Sequence, residues 1–388
     1  MITALICAGA LLAPTPQDPP RMRTILPNGA VVLAERVPDS DTCVVTLVAS
    51  TRGIPEDKSS HGRRHLLEHL LAKGGKGLDV RLETKGMFLT ASTGRDTMEF
   101  TVHGPAGSLD DALAALAEIV ALRKFALAEI QKEAEIVGEE LALSGGESKL
   151  LAAAWSQAFG DLGLNALGTM DALRATQPAE MDRIQRELFG ADRLALVVAG
   201  PTSPSTVLPK LQRWMAPRAK SPTLKAPVRA AGKPGRVEVI GVVGEARSAL
   251  VPNAMSPRTV WALAAAFALA SGFEDAFLVY TPSSVDGLIT IGRTDSNSGL
   301  GLVVDELTPA EIDLLYPLGK LLARLWIEGQ TIGAESIASS RAHLLAQAAS
   351  LRPETYAENL ATMTLQDFRE GMAMFHRDKC VVTVGVGR

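Results

Sequence analysis

Residues 65–69 read His65-Leu66-Leu67-Glu68-His69, and this stretch sets the expectations for the rest of the chain. Its two histidines are four residues apart, so on a helix their rings lie one above the other on the same face. That spacing lets two imidazoles bind a single zinc ion at ~2.0–2.1 Å each. Glu68 falls beside them, where a carboxylate can take a proton from a water molecule whose pKa the metal lowers to about 7. The order His-x-x-Glu-His is a known arrangement for a zinc site that activates water.

The alternative interpretation of this motif is a polar helix face that matches the pattern by accident. Such a match is expected in roughly one chain in a hundred at average composition, and two of only six histidines fall inside it. The metal-binding interpretation is therefore favoured. It requires a third protein ligand, because a catalytic zinc takes three and leaves its fourth position open.

A later segment, residues 126–144, is rich in Ala, Glu, Leu and Lys and predicts a long helix. Within it Glu133 and Glu140 are seven residues apart, so both can face the same side two turns apart. One of them could bind zinc while the other orients a histidine. Spacing alone leaves these roles open, together with the plainer possibility of a glutamate-rich surface helix.

The composition is that of an ordinary globular protein. The chain has 388 residues, of which 47% are hydrophobic and 21% charged, and its formal net charge is −4. This length exceeds the usual size of one hydrophobic core and indicates two domains. The slightly acidic balance excludes the basic surface typical of nucleic-acid binding. No segment reaches the ~20 apolar residues that a transmembrane helix needs.

The N-terminal residues 1–13 are apolar and are followed by a proline-rich stretch. The run is too short to span a bilayer, but it suits the apolar part of an export signal, with small residues at Ala8, Ala10 and Ala13 for cleavage. A basic region before it is missing, which leaves an ordinary buried or frayed N-terminus as the alternative. We expect residues 1–20 to be a signal peptide and the protein to be periplasmic or secreted; without a signal it would be cytoplasmic.

Residues 216–236 hold four prolines and six basic residues but no acid. Proline and repelling charges keep such a segment extended and solvated, which predicts a linker between domains at 21–215 and 237–388. Each half ends in an amphipathic segment followed by an apolar, β-branched run, at 192–200 and 378–387. This similarity of the two ends indicates a duplicated unit.

Strands and helices are interspersed along the chain. Asn28-Gly29 predicts a hairpin turn, and residues 43–49 and 98–102 read as strands. Ser108 is placed to cap a helix that starts with early acidic residues. Antiparallel hairpins among helices favour an α+β fold over a parallel, doubly wound sheet.

The surroundings of the metal motif resemble the pitrilysin/insulinase family of inverzincin peptidases, which includes mitochondrial processing peptidase and many bacterial relatives. The resemblance rests on Thr51-Arg52-Gly53 and on the run from Gly62 through the motif to Lys73-Gly74. In that family the third zinc ligand is the second glutamate of a Glu-x6-Glu pattern on a later helix. The resemblance therefore implies Glu140 as the ligand and Glu133 as its support. Glu139 is a lesser candidate, because the spacing from the motif is a few residues shorter than in the family.

The family also has an edge strand that pairs with the substrate backbone, with a signature near Asn-Ala-x-Thr. The corresponding residues here are Thr90-Ala91-Ser92-Thr93, so the resemblance implies that Thr90 and Ala91 bind substrate. Threonine keeps a hydroxyl but lacks the amide of asparagine, whereas pairing between backbones needs neither. The alternative is a plain sheet edge.

The resemblance implies two duplicated domains, each a mostly antiparallel sheet with helices on one face, that form half of a clamshell. It further implies a zinc-dependent endopeptidase acting on peptides or unfolded segments, with Zn²⁺ held by His65, His69 and Glu140 and with Glu68 as the base. The C-terminal domain would be non-catalytic, and the chain would form a homodimer or pair with a related subunit. The alternatives are a non-catalytic structural or partner subunit of the same fold, and a zinc-binding protein without hydrolysis.

Overall fold

The computed structural model describes residues 18–54, 56–74, 77–222, 229, 232–294, 304–348, 352 and 354–387. Positions 1–17 of the predicted signal peptide lie outside the described residues, as do positions 223–228 and 230–231 of the predicted linker. Over the part of the chain that is described, every helix is too short or too polar to cross a membrane.

The first half of the chain is built on a six-stranded sheet. Its strands are β1 (Arg21–Ile25), β2 (Val31–Arg36), β3 (Thr42–Ser50), β4 (Phe88–Thr93), β5 (Thr97–Pro105) and β6 (Leu194–Gly200). They lie in the order β1-β2-β6-β3-β5-β4, with β2 and β6 parallel and the other neighbours antiparallel. The predicted hairpin joins β1 to β2, and Gly29 supplies its left-handed position with a φ of 90°.

Eight α-helices accompany this sheet in the described residues: α1 (Arg63–Ala72), α2 (Leu78–Glu83), α3 (Leu109–Val120), α4 (Leu127–Ala142), α5 (Gly146–Phe159), α6 (Met170–Arg174), α7 (Pro178–Leu188) and α8 (Pro204–Met215). Ser108 precedes α3 as predicted, but its side chain makes no capping hydrogen bond. Its hydroxyl is instead buried against Gly104 without a partner in the described structure, so the predicted cap is wrong.

Helix α1 is fixed to the sheet by four leucines. Leu66, Leu67, Leu70 and Leu71 are all 0% exposed and belong to the main core of the first half. Burying each contributes about 1.5–3 kcal/mol, so the helix has little freedom to rotate. His65, which precedes the leucines, and His69, which lies among them, are therefore held in one orientation.

The second half is built on a five-stranded sheet. Its elements are β7 (Gly235–Ile240), β8 (Gly244–Val251), α9 (Pro257–Ala270), β9 (Ala276–Tyr280), β10 (Gly287–Thr294), α10 (Pro309–Gly329), α11 (Gly333–Gln347), α12 (Glu354–Thr362), α13 (Leu365–Ala373) and β11 (Cys380–Val386). The order β7-β11-β8-β10-β9 repeats β2-β6-β3-β5-β4, and the closing strand again has one parallel neighbour. The predicted α+β fold with two mostly antiparallel sheets is confirmed.

The two halves exchange helices. Helix α11 packs on β3 and β6 of the first sheet, and α5 packs on β7, β8, β10 and β11 of the second. Each sheet thus has its own helices on one face and one helix from the other half on the opposite face. The cluster under α11 consists of Val31, Leu33, Val44, Val48, Ala195, Val197, Ala199, Ala334, Ile337, Ala338, Ala342, Leu345 and Ala346.

Most described residues of the predicted linker are exposed, but two of them are tied to the first half. The Ser221 backbone N–H donates to Asp192 Oδ1 at 2.7 Å. Arg229 donates to Asp96 Oδ1 at 2.6 Å and lies over the Trp155 ring. Arg229 thus has an acidic and an aromatic partner in the first half. The domain boundaries themselves stay a prediction.

Candidate metal centre

Two packed helices bring the predicted ligands together. His65 and His69 lie on α1 and Glu140 lies near the end of α4, and one ligand atom from each is within 4.8 Å of the others. The two Nε2 atoms are 3.2 Å apart, and the Glu140 oxygens are 3.6 and 3.5 Å from the His65 and His69 Nε2 atoms. Ligand atoms around a tetrahedral zinc with bonds of ~2.0–2.1 Å are ~3.3–3.4 Å apart. The separations therefore suit a zinc ion.

The chemistry of these side chains also fits a cation. Burial, together with the neighbouring His69, lowers the pKa of His65 to about 4, so this ring is neutral at pH 7. The two rings point their Nε2 atoms at each other, an arrangement that a positive ion between them would stabilise. Two histidines and a carboxylate form a ligand set of catalytic zinc sites, in which one position stays open.

Glu68 is poised next to this cluster. Its carboxylate is buried, with Oε2 3.7 Å from His65 Nε2, and it accepts a hydrogen bond of 3.3 Å from the Thr93 hydroxyl. Burial raises the pKa of Glu68 to about 7, against the lowering effect of Thr93 and with a smaller raising effect of Glu140. A nearby divalent cation favours the charged form and would lower this pKa again. Such a carboxylate can accept and return a proton near neutral pH.

Glu133 lies behind His69 on the side away from the cluster. It is 1% exposed, its Oε1 is 3.7 Å from His69 Nδ1, and it forms an ion pair with Lys73 at the end of α1. It thus joins α4 to α1 and faces the outer nitrogen of one ligand, where a carboxylate orients the ring. Glu139, the lesser candidate, is exposed and is not a member of the cluster.

Strand β4 runs beside α1 as the last strand of the first sheet. Ala91 packs against the core on the face that carries α1, and Thr93, two residues later, reaches Glu68 from the same face. Thr90 points to the opposite face, where its hydroxyl lies 3.4 Å from His103 Nε2. The edge therefore places Ala91 near the metal cluster but turns the Thr90 hydroxyl away from it.

Two residues of the site had no role in the sequence prediction. Thr93 was recognisable only as part of the edge-strand signature, yet the two-residue period of a strand puts it on the same face as Ala91. Lys73 follows the motif directly, and its ion pair with Glu133 joins elements 60 residues apart. Nothing local in the sequence signals that contact.

Comparisons with known proteins point to one family. Residues 31–160 match the family model described as Insulinase (Peptidase family M16). A probable mitochondrial-processing peptidase subunit beta of Schizosaccharomyces pombe is 24% identical over 218 residues, which is 53% of this chain and 47% of the relative. An uncharacterized zinc protease of Mycobacterium leprae is 26% identical over 187 residues, 46% of this chain and 42% of the relative. The chain thus spans about half the length of the curated relatives it matches.

The fold also has a solved counterpart. A protease from Helicobacter pylori matches with a TM-score of 0.79 and 16% sequence identity, over 94% of this chain and 99% of that chain. At this identity the likeness concerns the fold alone. The matched region 31–160 runs from β2 to α5 and contains both helices of the candidate metal centre. Residues 31–160 therefore form a domain that matches the insulinase family, peptidase family M16.

Proposed function

We propose that the protein is a zinc-dependent endopeptidase that hydrolyses peptides or unfolded polypeptide segments. The observation that carries the proposal is the convergence of His65, His69 and Glu140, with the Glu68 carboxylate beside them. A zinc ion bound there would supply a Lewis acid that polarises the scissile carbonyl and acidifies water. The zinc protease among the relatives supports this choice of metal.

Each side chain then has a distinct task. His65, His69 and Glu140 would hold the ion, as three protein ligands do in catalytic zinc sites. Glu68 takes a proton from the attacking water and delivers it to the leaving amine nitrogen, as a general base and then a general acid. Thr93 keeps the Glu68 carboxylate in place through its hydrogen bond, and Glu133 orients the His69 ring.

The edge strand supports a peptide as the substrate. An exposed edge offers unpaired backbone N–H and C=O groups, and an extended segment can add to it as a further strand. Pairing with β4 at Thr90 and Ala91 would bring the substrate backbone alongside Glu68, since Thr93 of the same strand bonds that carboxylate. Only an extended chain can pair in this way, which favours peptides and unfolded segments over folded proteins.

A non-catalytic partner subunit is the second candidate, because the Schizosaccharomyces pombe relative is itself a subunit. The complete set of ligands and base favours the enzyme, since loss of activity commonly removes ligands. We also propose that the chain forms a homodimer or pairs with a related subunit, and that residues 1–20 direct export. The domain at 237–388 would be non-catalytic, as the cluster of potential metal ligands found in the described residues lies in the domain at 21–215.

Zinc content and cleavage of an unfolded protein, measured on the wild type and on Glu68→Gln, test the proposal. The variant should keep about one zinc per chain and lose cleavage by about 10²–10⁴-fold, the usual contribution of a general base. Glu139→Gln is the matched control, because it makes the same change at an exposed site on α4 and should alter neither quantity. Unchanged cleavage in Glu68→Gln would refute the mechanism. A wild type that binds zinc but cleaves nothing, alone or with a related subunit, would favour the partner subunit.

A further inference from the structure

Four arginines surround a small cavity where the two halves of the chain meet. Arg52 follows β3, Arg64 lies in the first turn of α1, and Arg95 lies in the turn between β4 and β5. Arg229 comes from the predicted linker, and Val285 of the second half forms part of the wall. The cavity has a volume of about 60 Å³. So many cations around so small a space require anionic partners.

Two of these arginines have a carboxylate of their own. Arg64 forms an ion pair with Glu56 at 3.0 Å, and Arg229 forms one with Asp96 at 2.6 Å. Residues 216–236 contain no acid, so the chain around Arg229 brings no further carboxylate to the cavity. The two pairs are therefore balanced and leave no negative charge for the other two arginines.

Arg52 and Arg95 have no such partner. Neither guanidinium lies within 4.0 Å of a carboxylate in the described part of the chain. Asp161 of the wall is exposed and pairs with no arginine there. The contacts of the two guanidinium groups are to neutral groups, namely the Ser284 hydroxyl at 2.6 Å from Arg52, and the Gly163 carbonyl at 3.2 Å and the Trp155 ring at 4.4 Å from Arg95.

The electrostatic environment of these two arginines shows the same excess of positive charge. Burial is the main cause that lowers the pKa of both guanidinium groups, that of Arg95 to about 9. Arg229 lowers both pKa values further, and the carboxylate that raises them is the same Asp96 that already pairs with Arg229. An anion beside Arg52 and Arg95 would favour their charged forms and stabilise the cluster.

The size and the walls of the cavity limit the kind of anion. One water molecule needs roughly 10–15 Å³, whereas pockets for drug-sized ligands have about 300–1,000 Å³, so only a small group fits. Guanidinium groups offer paired N–H donors that match the oxygens of carboxylates and phosphates. Apolar side chains in the wall, Ile54, Leu164 and Val285, strengthen such charged contacts relative to water. We propose that the cavity binds one oxyanion group, a carboxylate, sulfate or phosphate, between Arg52 and Arg95.

Two sources can supply this group: a free inorganic anion or the C-terminal carboxylate of a peptide. The cavity adjoins the candidate metal centre, since Arg64 directly precedes His65 and Arg95 lies two residues after Thr93 at the end of β4. A peptide paired with this edge strand could therefore place its terminal carboxylate there. The peptide source rests on the proposed function, whereas the oxyanion site itself does not.

Isothermal titration calorimetry of the full chain with sodium sulfate and with sodium phosphate, at constant ionic strength, tests the site. We expect one site with a dissociation constant on the order of 0.1–1 mM in the wild type. Arg52→Gln and Arg95→Gln should each raise this constant about 10–100-fold, because each removes charge-assisted hydrogen bonds to the anion. Arg186→Gln is the matched control: it makes the same change at an exposed arginine of α7 and should bind like the wild type. Arg52→Gln keeps the test informative if Arg95→Gln fails to fold, since the bond it removes within the chain is to one hydroxyl.

A pair of peptides identifies the source of the oxyanion. Acetyl-trialanine with a free C-terminal carboxylate and the same peptide with a C-terminal amide are each titrated against sulfate, on the Glu68→Gln chain so that neither is cleaved. Displacement of sulfate by the free acid alone would support a peptide carboxylate, and sulfate binding without displacement would support an inorganic anion. The absence of saturable binding of sulfate, phosphate and the free acid would overturn the proposal, and so would sulfate binding that Arg52→Gln and Arg95→Gln leave unchanged. Sulfate binding requires neither zinc nor cleavage, so the oxyanion site and the proposed function can fail separately.

Discussion

Replacing Glu133 by glutamine tests whether the carboxylate behind His69 sets the affinity of the metal centre. The substitution keeps the size of the side chain and removes only its charge. Glu133 is 1% exposed and lies 3.7 Å from His69 Nδ1, on the side of the ring away from the ligand cluster. A carboxylate in this position orients the imidazole and makes its other nitrogen a stronger donor to the metal.

The expected loss of zinc affinity follows from the burial of Glu133 and from its distance to His69. Loss of such a supporting group typically weakens metal binding 10–100-fold, or about 1.4–2.7 kcal/mol. Burial favours the upper part of this range, because water cannot readily take the place of the lost charge. The separation of 3.7 Å favours the lower part, since it exceeds a hydrogen-bond distance and the contact must tighten when the metal binds. We expect a loss of about thirtyfold, in the middle of that range.

Competition with a chromophoric chelator measures the zinc dissociation constant of the wild type, of Glu133→Gln and of Glu139→Gln. The last is a control on the same helix, where the glutamate is exposed and outside the cluster. Thermal unfolding without metal separates a local effect from a damaged fold, since Glu133 also pairs with Lys73. An affinity within threefold of the wild type, or equal to that of the control, would refute the orienting role of Glu133.

Two further substitutions test other parts of the molecule. Thr93→Val removes the 3.3 Å hydrogen bond to Glu68 and should lower kcat about tenfold without changing the zinc content. The factor corresponds to about 1.5 kcal/mol, the contribution of a hydrogen bond to a charged group. Ser92→Val changes an exposed neighbour of Thr93 and is the control, which should cleave like the wild type. Asp305→Asn should destabilise the fold by about 1.5–3 kcal/mol in a chemical unfolding experiment, because it removes the charged partner that accepts two hydrogen bonds from the buried Arg247, which keeps only Glu245 and the Phe375 carbonyl. The Arg247 hydrogen bonds lower the pKa of Asp305 from 3.8 to about 2, so its contribution is present above pH 4 and is lost as the pH falls towards 2. The stability difference between wild type and Asp305→Asn should shrink over that interval, and a constant difference would contradict this assignment.

The part of the site that lies within one helix was predictable from the sequence. The four-residue spacing of His65 and His69 fixes their common face as soon as the segment is a helix, and the leucines between them fix which side is buried. Glu140 is different, because it lies 71 residues beyond His69 and the contact between α1 and α4 is tertiary. Local spacing could only offer glutamates seven residues apart, and the choice of Glu140 over Glu139 came from the family resemblance.

The elements that cover the two faces of the first sheet could likewise be predicted only in part from the sequence. Strand β3 is an almost continuous apolar run from Cys43 to Ala49, and such a run indicates a strand buried on both faces. The alternation of its side chains does not reveal what covers each face. One face packs on helices of the same half, and the other on α11, about 290 residues later in the chain. Apolar residues that recur every two positions in a strand, or every 3.6 in a helix, show which side of the element is apolar. They do not show which distant element will bury that side.

The exchange of helices gives the second half a role in supporting the candidate metal centre, even though the cluster found in the described residues contains none of its side chains. Val44 and Val48 of β3 lie under α11, while Val45 and Leu47 of the same strand lie in the core that holds α1. The first sheet is therefore fixed from both faces. Side chains that must keep a ligand geometry need such rigid support, because a displacement of about 1 Å is costly for catalysis. The predicted linker at 216–236 lies between the two sheets, apart from the first two residues of β7, but it does not separate the cores. Residues 237–388 therefore support the candidate site by holding the sheet that contains β4 and carries α1.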